Sequence, residues 1–427
     1  MNRFDTDIII AGGGLAGATL ALALSRVVPS LRVTVVEAYP LSTDALPEDY
    51  QPSYDARSTA LAWGSRLIFE ELGLWQRLSE HATPIRQIHV SDRGRFGATR
   101  LTAEEHGQAA LGYVADNRWM GLSLMRELQG TQVQWRAPAE VLGMSSQAGG
   151  VSVAVKAGED VVQVSAQCLV VADGGRSGLR ESLGFQARHD NYGQNALITN
   201  VSTSDSHRFT AFERFTDAGP MALLPGGAPG CPGHQSALVW TLSDSALEAL
   251  LGLDSEGRCQ RLQDRFGWRL GRFTRMGEVS HYPLKLTTVA EPVRPGVALV
   301  GNAAHTLHPV AGQGFNLALR GLVTLVEQFQ IGVEQGRPLG DLGVLGGYQR
   351  AHQQDWQQTV RFSDSLIRIF GQASAPLAAA RDAGLMGLDL LPGAKRWFAR
   401  RAMGVGGRKP VIRGHGVGTG TEPAHHE

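Results

Sequence analysis

Cysteine is scarce in this chain: Cys168, Cys231 and Cys259 are three residues among 427. They form no C-x-x-C pair and no zinc-type spacing, so neither a disulfide framework nor a thiolate metal centre is expected, and a reducing compartment is. Net charge is also missing. Forty Lys and Arg balance forty Asp and Glu, which argues against a nucleic-acid partner. No uncharged apolar run of membrane-spanning length appears beyond the first thirty residues. The early run "IIIAGGGLAGATLALALS" follows Asp5 and Asp7 where a secretory signal has basic residues, and its glycines are regular, so it is not read as a leader. A cytoplasmic protein is expected, peripheral at most on the inner face of the membrane. Hydrophobic content of 43% and charged content of 19% suit a globular chain of two or three domains with a large core.

The early apolar run has a different logic. "DTDIIIAGGGLAGATLALALSRVVPSLRVTVVEA" reads as strand, turn, helix, strand. Gly12, Gly14 and Gly17 form G-x-G-x-x-G at the turn. The first glycine allows the tight turn, the second lets a pyrophosphate approach, and the third permits close helix–strand packing. The helix start offers unpaired N–H groups and a partial positive charge. Glu37, twenty residues beyond Gly17, ends the second strand. A carboxylate there accepts from ribose hydroxyls and repels a 2′-phosphate. A bound dinucleotide is therefore expected, and FAD and NAD satisfy the pattern equally.

Further along, "DARSTALAWGS" (55–65) is read as opening a helix, with Arg57 at its start near a phosphate. "CLVVADGGRSGLR" (168–180) is a strand ending in Asp173 and Gly174, at the edge where α/β sheets bind ligands. A second G-x-G-x-x-G is lacking. "PGGAPGCPG" (225–233) has no helix behind it and reads as a loop, so a nicotinamide cofactor has no Rossmann unit of its own. "GNAAHTLHPVAGQGFNLALRG" (301–321) spends Gly301, Gly312 and Gly314 at the mouth of a helical pattern. His305 and His308 lie in this stretch without a carboxylate or thiolate at ligand spacing, so no metal site is expected.

These motifs occur in one order: G-x-G-x-x-G with Glu37, D-x-R-x-x-A-L at 55–61, A-D-G-x-x-S-x-x-R at 172–180, and G-N-A-A-H-x-x-x-P-x-x-G-Q-G-x-N at 301–316. Together they resemble the class A flavoprotein aromatic hydroxylases of the para-hydroxybenzoate hydroxylase fold. "HVSDRGRFG", "AFERFTDAGPMALLP" and "FGWRLG" are similar to its ubiquinone-biosynthesis branch, nearest the bacterial 2-polyprenyl-6-methoxyphenol hydroxylases. The resemblance runs from about residue 5 to about 405.

It implies an α/β fold: a discontinuous Rossmann-like FAD-binding domain with an inserted antiparallel β-sheet substrate domain and a C-terminal helical segment. The expected FAD segments are 1–75, 111–190 and 285–340. The substrate domain takes a hairpin at 76–110 and a sheet at 191–284, and 341–427 holds the last helices and a disordered tail. The implied reaction is monooxygenation. NAD(P)H reduces FAD, O2 adds at flavin C4a, and one oxygen passes to the ring of a prenylated phenol. Gly301, Asn302, Gly312, Gly314 and Asn316 are implied at the flavin, where the wider family has Asp in place of Asn302. His305, Pro309, Gln313 and Tyr282 are the candidate catalytic residues, although His305 and His308 read first as packing groups.

Phe212, Phe215, Leu223, Pro225, Val239 and Trp240 are the candidate pocket wall. The stretch from Leu390 to Thr421 has no acid and carries Lys395, Arg396, Arg400 and Arg401 beside Trp397 and Phe398. That helix suits a membrane surface, partner subunits of a biosynthetic complex, or docking on its own domain. A hydroxylase acting at another ring carbon or on a soluble aromatic acid, and a flavin-stabilised scaffold subunit, are the competing readings.

Overall fold

The computed structural model describes residues 4–41, 53, 57–93, 97–175, 178–216, 219–227, 233–307, 312–371 and 391–406, apart from the side chains of 362–371 and 392. The chain starts at the centre of a six-stranded sheet. Ile8–Ala11 pairs in parallel with Cys168–Val171 on one side and Val33–Val36 on the other. Val297–Leu299 and Gln134–Arg136 extend the parallel set outward, and Val293–Arg294 closes one edge antiparallel.

Strand periodicity explains why these runs are apolar throughout. Ile8 and Ile10, Val33 and Val35, and Cys168 and Val170 pack on the helical side, against Leu15–Val27, Asn117–Gln129 and Gln313–Glu334. Ile9, Ala11, Val36, Leu169 and Val171 face the other way, onto a three-stranded meander of Glu140–Gln147, Gly150–Ala157 and Asp160–Ala166. Both faces are buried, so one charged substitution on either removes a side chain worth roughly 1.5–3 kcal/mol of burial.

A second, nine-stranded sheet stands beside the first. Its spine is the long strand Ala187–Thr203, which pairs antiparallel with Ser280–Val289 and with Gln235–Leu242. Gly219–Gly226 and Thr210–Thr216 follow, and the hairpin Gln87–Asp92 with Ala98–Thr102 completes it. Its outer face packs on the helices Asp244–Leu251 and Ser255–Phe266 through Leu223, Leu238, Trp240, Leu262 and Phe266. The short strand His305–Thr306 pairs with Ser280–Val289 and so ties the 301–316 stretch to this sheet.

One expectation is corrected here. Ser58–Ala62 is a strand, paired with Gly112–Asp116, and the helix begins only at Trp63. Arg57 therefore precedes a strand. Tyr282 lies near the start of the strand Ser280–Val289. The C-terminal helix Pro392–Ala402 docks on its own chain: Ala399 and Met403 pack with Leu101, Ala103 and Leu111. Lys395 pairs with Glu105 at 3.0 Å. Trp397, on the outer side, is 57% exposed. Among the described residues no helix is long and apolar enough to cross a membrane.

Candidate active site

A cavity of about 1270 Å³ lies between the two sheets and takes its walls from both. One end is built by the strand–turn–helix of the N-terminus. Gly12 (φ +103°) has no room for a side chain, since a Cβ would stand 2.8 Å from the Ala172 carbonyl oxygen. At Gly17 a Cβ would sit 1.8 Å from the Gly12 oxygen. These two glycines are demanded by the fold, and Gly17 does not line the cavity. Gly14 differs: a Cβ there meets no atom within 4 Å, and the residue opens onto the cavity as the N-cap of the helix Leu15–Val27. That helix start has no side-chain cap and no acid in its first turn. Its N–H groups face a space that accepts an anion.

Glu37 lines the same end. Its carboxylate accepts from the Gly13 N–H at 2.6 Å and the Tyr39 N–H at 2.9 Å, one at each oxygen. Each oxygen keeps a lone pair for a further donor. Asp173 closes the strand Cys168–Val171 and accepts from the Gly175 N–H at 2.8 Å, while Gly174 (φ +75°) turns the chain beside it. Asp173, Gly174 and Arg57 all line the cavity.

The middle of the cavity is bounded by Gly301, Asn302, Gly312, Gln313, Gly314 and Asn316. Gly312 caps the helix Gln313–Glu334 in the left-handed region (φ +59°), and the first turn again carries no acid. Like Gly14, Gly314 has nothing within 4 Å of a would-be Cβ. Asn316 reaches the cavity, yet its amide is committed to the protein. The side-chain oxygen accepts from the Ala62 N–H (2.8 Å) and Ser65 hydroxyl (2.7 Å). The side-chain nitrogen donates to the Ala60 and Gly312 carbonyls at 2.9 and 2.7 Å. All four bonding positions are used. Asn316 thus fixes the strand Ser58–Ala62 to the mouth of the helix.

The candidate catalytic residues separate. Gln313 and Tyr282 line the cavity, and burial raises the Tyr282 phenol above its ordinary pKa. His305 does not line it. Its Nε2 lies 2.7 Å from Nε2 of His352, with both rings buried behind the cavity wall. Burial, and then the neighbouring His352, hold His305 far below the usual histidine range; burial, and then Arg320, depress His352 likewise. His305 is removed from the site because the short strand that carries it aims the ring at the helix Leu342–Gly371. His308 and Pro309 lie outside the described residues.

The wall predictions divide by strand phase. Phe215 and Val239 line the cavity. Leu223, Pro225 and Trp240 do not: Leu223 and Trp240 pack into the outer core, and Pro225 follows Leu223 in phase. Ala222 and Leu224, one residue out of step, are the wall instead. Phe212 touches the cavity, but its ring packs edge-on to Phe266 with centroids 5.6 Å apart. Sequence reasoning missed Ile88, Val90, Ile198, Glu213 and Leu224 on the sheet and Phe398 and Ala402 on the last helix. The signal was present in "TAFERFT", where Ala211, Glu213 and Phe215 share one phase.

This geometry fits FAD. Two glycines open to the cavity without a steric demand from the fold, two bare helix starts point into it, and a carboxylate sits at ribose reach of the first. The FAD binding domain model matches residues 5–362. The chain belongs to this family. It is 35% identical to "Ubiquinone hydroxylase UbiL" of Rhodospirillum rubrum over 399 residues, 93% of this chain and 89% of that protein. It is 28% identical to "3-demethoxyubiquinol 3-hydroxylase" of Escherichia coli, over 95% of this chain and all of the relative. The p-nitrophenol 4-monooxygenase PnpA of Pseudomonas putida shares the fold, with a TM-score of 0.76 over 96% of this chain and 100% of that one, at 16% identity. The protein is an FAD-dependent monooxygenase of the aromatic hydroxylase class, with NAD(P)H as reductant.

Proposed function

We propose that this flavoenzyme hydroxylates a prenylated phenol of the 2-polyprenyl-6-methoxyphenol type in ubiquinone biosynthesis. The observation that carries the reading is the continuity of one cavity. It joins the nucleotide cradle to an apolar sheet wall and runs on to Ile88, Leu101, Leu111, Phe398 and Ala402 beneath the last helix. A soluble aromatic acid needs no such apolar extension; a prenyl chain does.

In this reading Gly12, Gly14, Glu37, Arg57, Asp173 and Gly174 hold the adenosine diphosphate half of FAD. Gly301, Asn302, Gly312 and Gly314 face its ribityl chain and ring, and Asn316 keeps that wall in place. FAD held there would supply the hydride acceptance from NAD(P)H and the O2 activation that hydroxylation needs. The N-terminus of the helix Gln313–Glu334, with no acid in its first turn, directs positive potential into this part of the cavity and would favour an anionic group held there. Tyr282, Phe215, Val239 and Leu224 flank the aromatic ring, keep water away and hold it in one pose. The tail lies under Pro392–Ala402, and the exposed Trp397 beside Arg401 (5.3 Å from cation to ring centroid) meets the membrane surface that supplies the substrate.

The relatives leave a second ring position in contention, since one of them is named a 3-hydroxylase. The test is regiochemical. Purified FAD-loaded enzyme in detergent is offered prenylated phenols that differ in which ring carbons are free, and products are assigned by NMR. Hydroxylation para to the phenol oxygen of the methoxyphenol supports the reading. Turnover only of a methoxylated benzoquinol would assign the enzyme to the other position, and turnover only of unprenylated acids would overturn both.

A further inference from the structure

The cavity face of the nine-stranded sheet is a set of lateral rows. In one of them Val90, Glu213, Ala222, Val239, Ile198 and Ser280 stand side by side across six neighbouring strands. Each of the six lines the cavity. Glu213 is the single ionisable group in the row, and its lateral neighbours are Val90 and Ala222. The rows on either side place Ala211 and Leu224, then Phe215, around it.

Glu213 is half-buried, and a carboxyl among aliphatic side chains loses part of its hydration. Among the described residues no hydrogen bond or ion pair to the Glu213 carboxyl is formed, and burial pushes it up to about 8. Carboxyls withdrawn from water in native proteins are paired, so one on the wall of a ligand cavity with no partner among the described residues marks the place where a ligand donor arrives. The adenosine diphosphate cradle lies at the other sheet. In the proposed reading, the group that reaches Glu213 is the aromatic substrate.

Resting on the proposed function, we infer that Glu213 is a catalytic residue: its carboxylate receives the hydrogen bond of the substrate's phenolic hydroxyl and takes that proton during hydroxylation. As the new carbon–oxygen bond forms, the phenol O–H bond breaks toward Glu213, and the ring becomes a neutral hydroxycyclohexadienone. The ring carbon then releases its hydrogen to solvent as a proton, and Glu213 returns the held proton to the original oxygen. The added oxygen comes from O2 and the two electrons from NAD(P)H, so the residue ends unchanged. A base whose ionisation falls near neutral pH is matched to this task.

The test pairs the residue with the hydroxyl. Dissociation constants of 2-prenyl-6-methoxyphenol and of its O-methyl ether, which has no hydroxyl proton, are measured by calorimetry on FAD-loaded wild type, Glu213→Leu and Glu213→Gln. The titrations are run above pH 8, where the carboxylate is populated. Wild type should prefer the phenol by roughly tenfold or more, as for a hydrogen bond to a charged group. Glu213→Leu should fold, since it places an apolar side chain among the aliphatic neighbours Val90 and Ala222, and should show no preference. Glu213→Gln should retain binding while hydroxylated product per NAD(P)H consumed falls on the order of a hundredfold. A preference that persists in Glu213→Leu, or full coupling in Glu213→Gln, overturns the inference and leaves the substrate assignment standing. If wild type binds neither compound, the substrate assignment falls and this inference with it.

Discussion

Gly14 and Gly17 are three residues apart and answer to different demands. The Cβ of any other residue at 17 would overlap the Gly12 carbonyl oxygen, whereas one at 14 would enter open space. Gly17→Ala is therefore expected to yield misfolded protein. Gly14→Val should fold with the wild-type circular dichroism spectrum and purify without FAD. A yellow Gly14→Val protein would contradict the placement of the pyrophosphate. Asn302 is exposed to the cavity and carries no charge, so Asn302→Asp should keep stoichiometric FAD and shift its reduction potential modestly; a colourless variant would show that this contact is misassigned. Asn316 is the more sensitive position. Asn316→Asp would leave the Ala60 and Gly312 carbonyls facing a carboxylate in place of two N–H donors. Losing those two bonds in a buried site should cost roughly 2 kcal/mol or more, read as a lowered Tm with weaker FAD retention. Its glycine-rich context pointed to the cofactor, but only the structure shows that it works through the backbone of a strand 254 positions away.

At the scale of elements, the nucleotide-binding unit was legible because its chemistry is local: three glycines, one acid and two apolar strands define it within a span of 34 residues. The substrate sheet was legible as strands but not as faces. Both faces of Thr210–Thr216 and Gly219–Gly226 are covered, one by helices and one by the cavity. Apolar content alone could not tell Leu223 from Leu224; the register with Trp240 and Val239 does. Ser58–Ala62 was misread because its small residues suit either element, and pairing with Gly112–Asp116 decided the matter. The His305–His352 pair joins the short strand after Gly301 to the helix Leu342–Gly371, and no local pattern foretold it. Both rings are held neutral by burial, so their folded pKa values lie below the unfolded value near 6.5. The unfolded chain thus binds more protons as pH falls below that value, and stability drops by up to about 1.4 kcal/mol per pH unit for each ring. Tm should decline on acidification from pH 6.5, more shallowly in His352→Phe. Equal slopes would show that the pair does not govern acid sensitivity.

For the whole molecule, the decisive arrangement is two sheets meeting at one cavity, roofed at its far end by the last helix. Many separated stretches of the chain, from Ala11 to Ala402, converge there, which is why the motifs identified the cofactor while the wall needed the fold. The helix Pro392–Ala402 packs Ala399 into the protein and turns Trp397 outward. Trp397→Ser should leave turnover of a short-chain prenylated phenol unchanged and reduce co-sedimentation with anionic lipid vesicles several-fold. Unchanged co-sedimentation would remove this helix from any membrane role.

The most direct test of the account follows the oxygen. FAD-loaded enzyme, NADPH and 2-prenyl-6-methoxyphenol are incubated in detergent under ¹⁸O2, and the product is weighed by mass spectrometry. A methoxy-benzoquinol bearing one labelled oxygen, formed in step with NADPH consumption, is the predicted result. NADPH consumed entirely to peroxide, or product carrying oxygen from water, would contradict it.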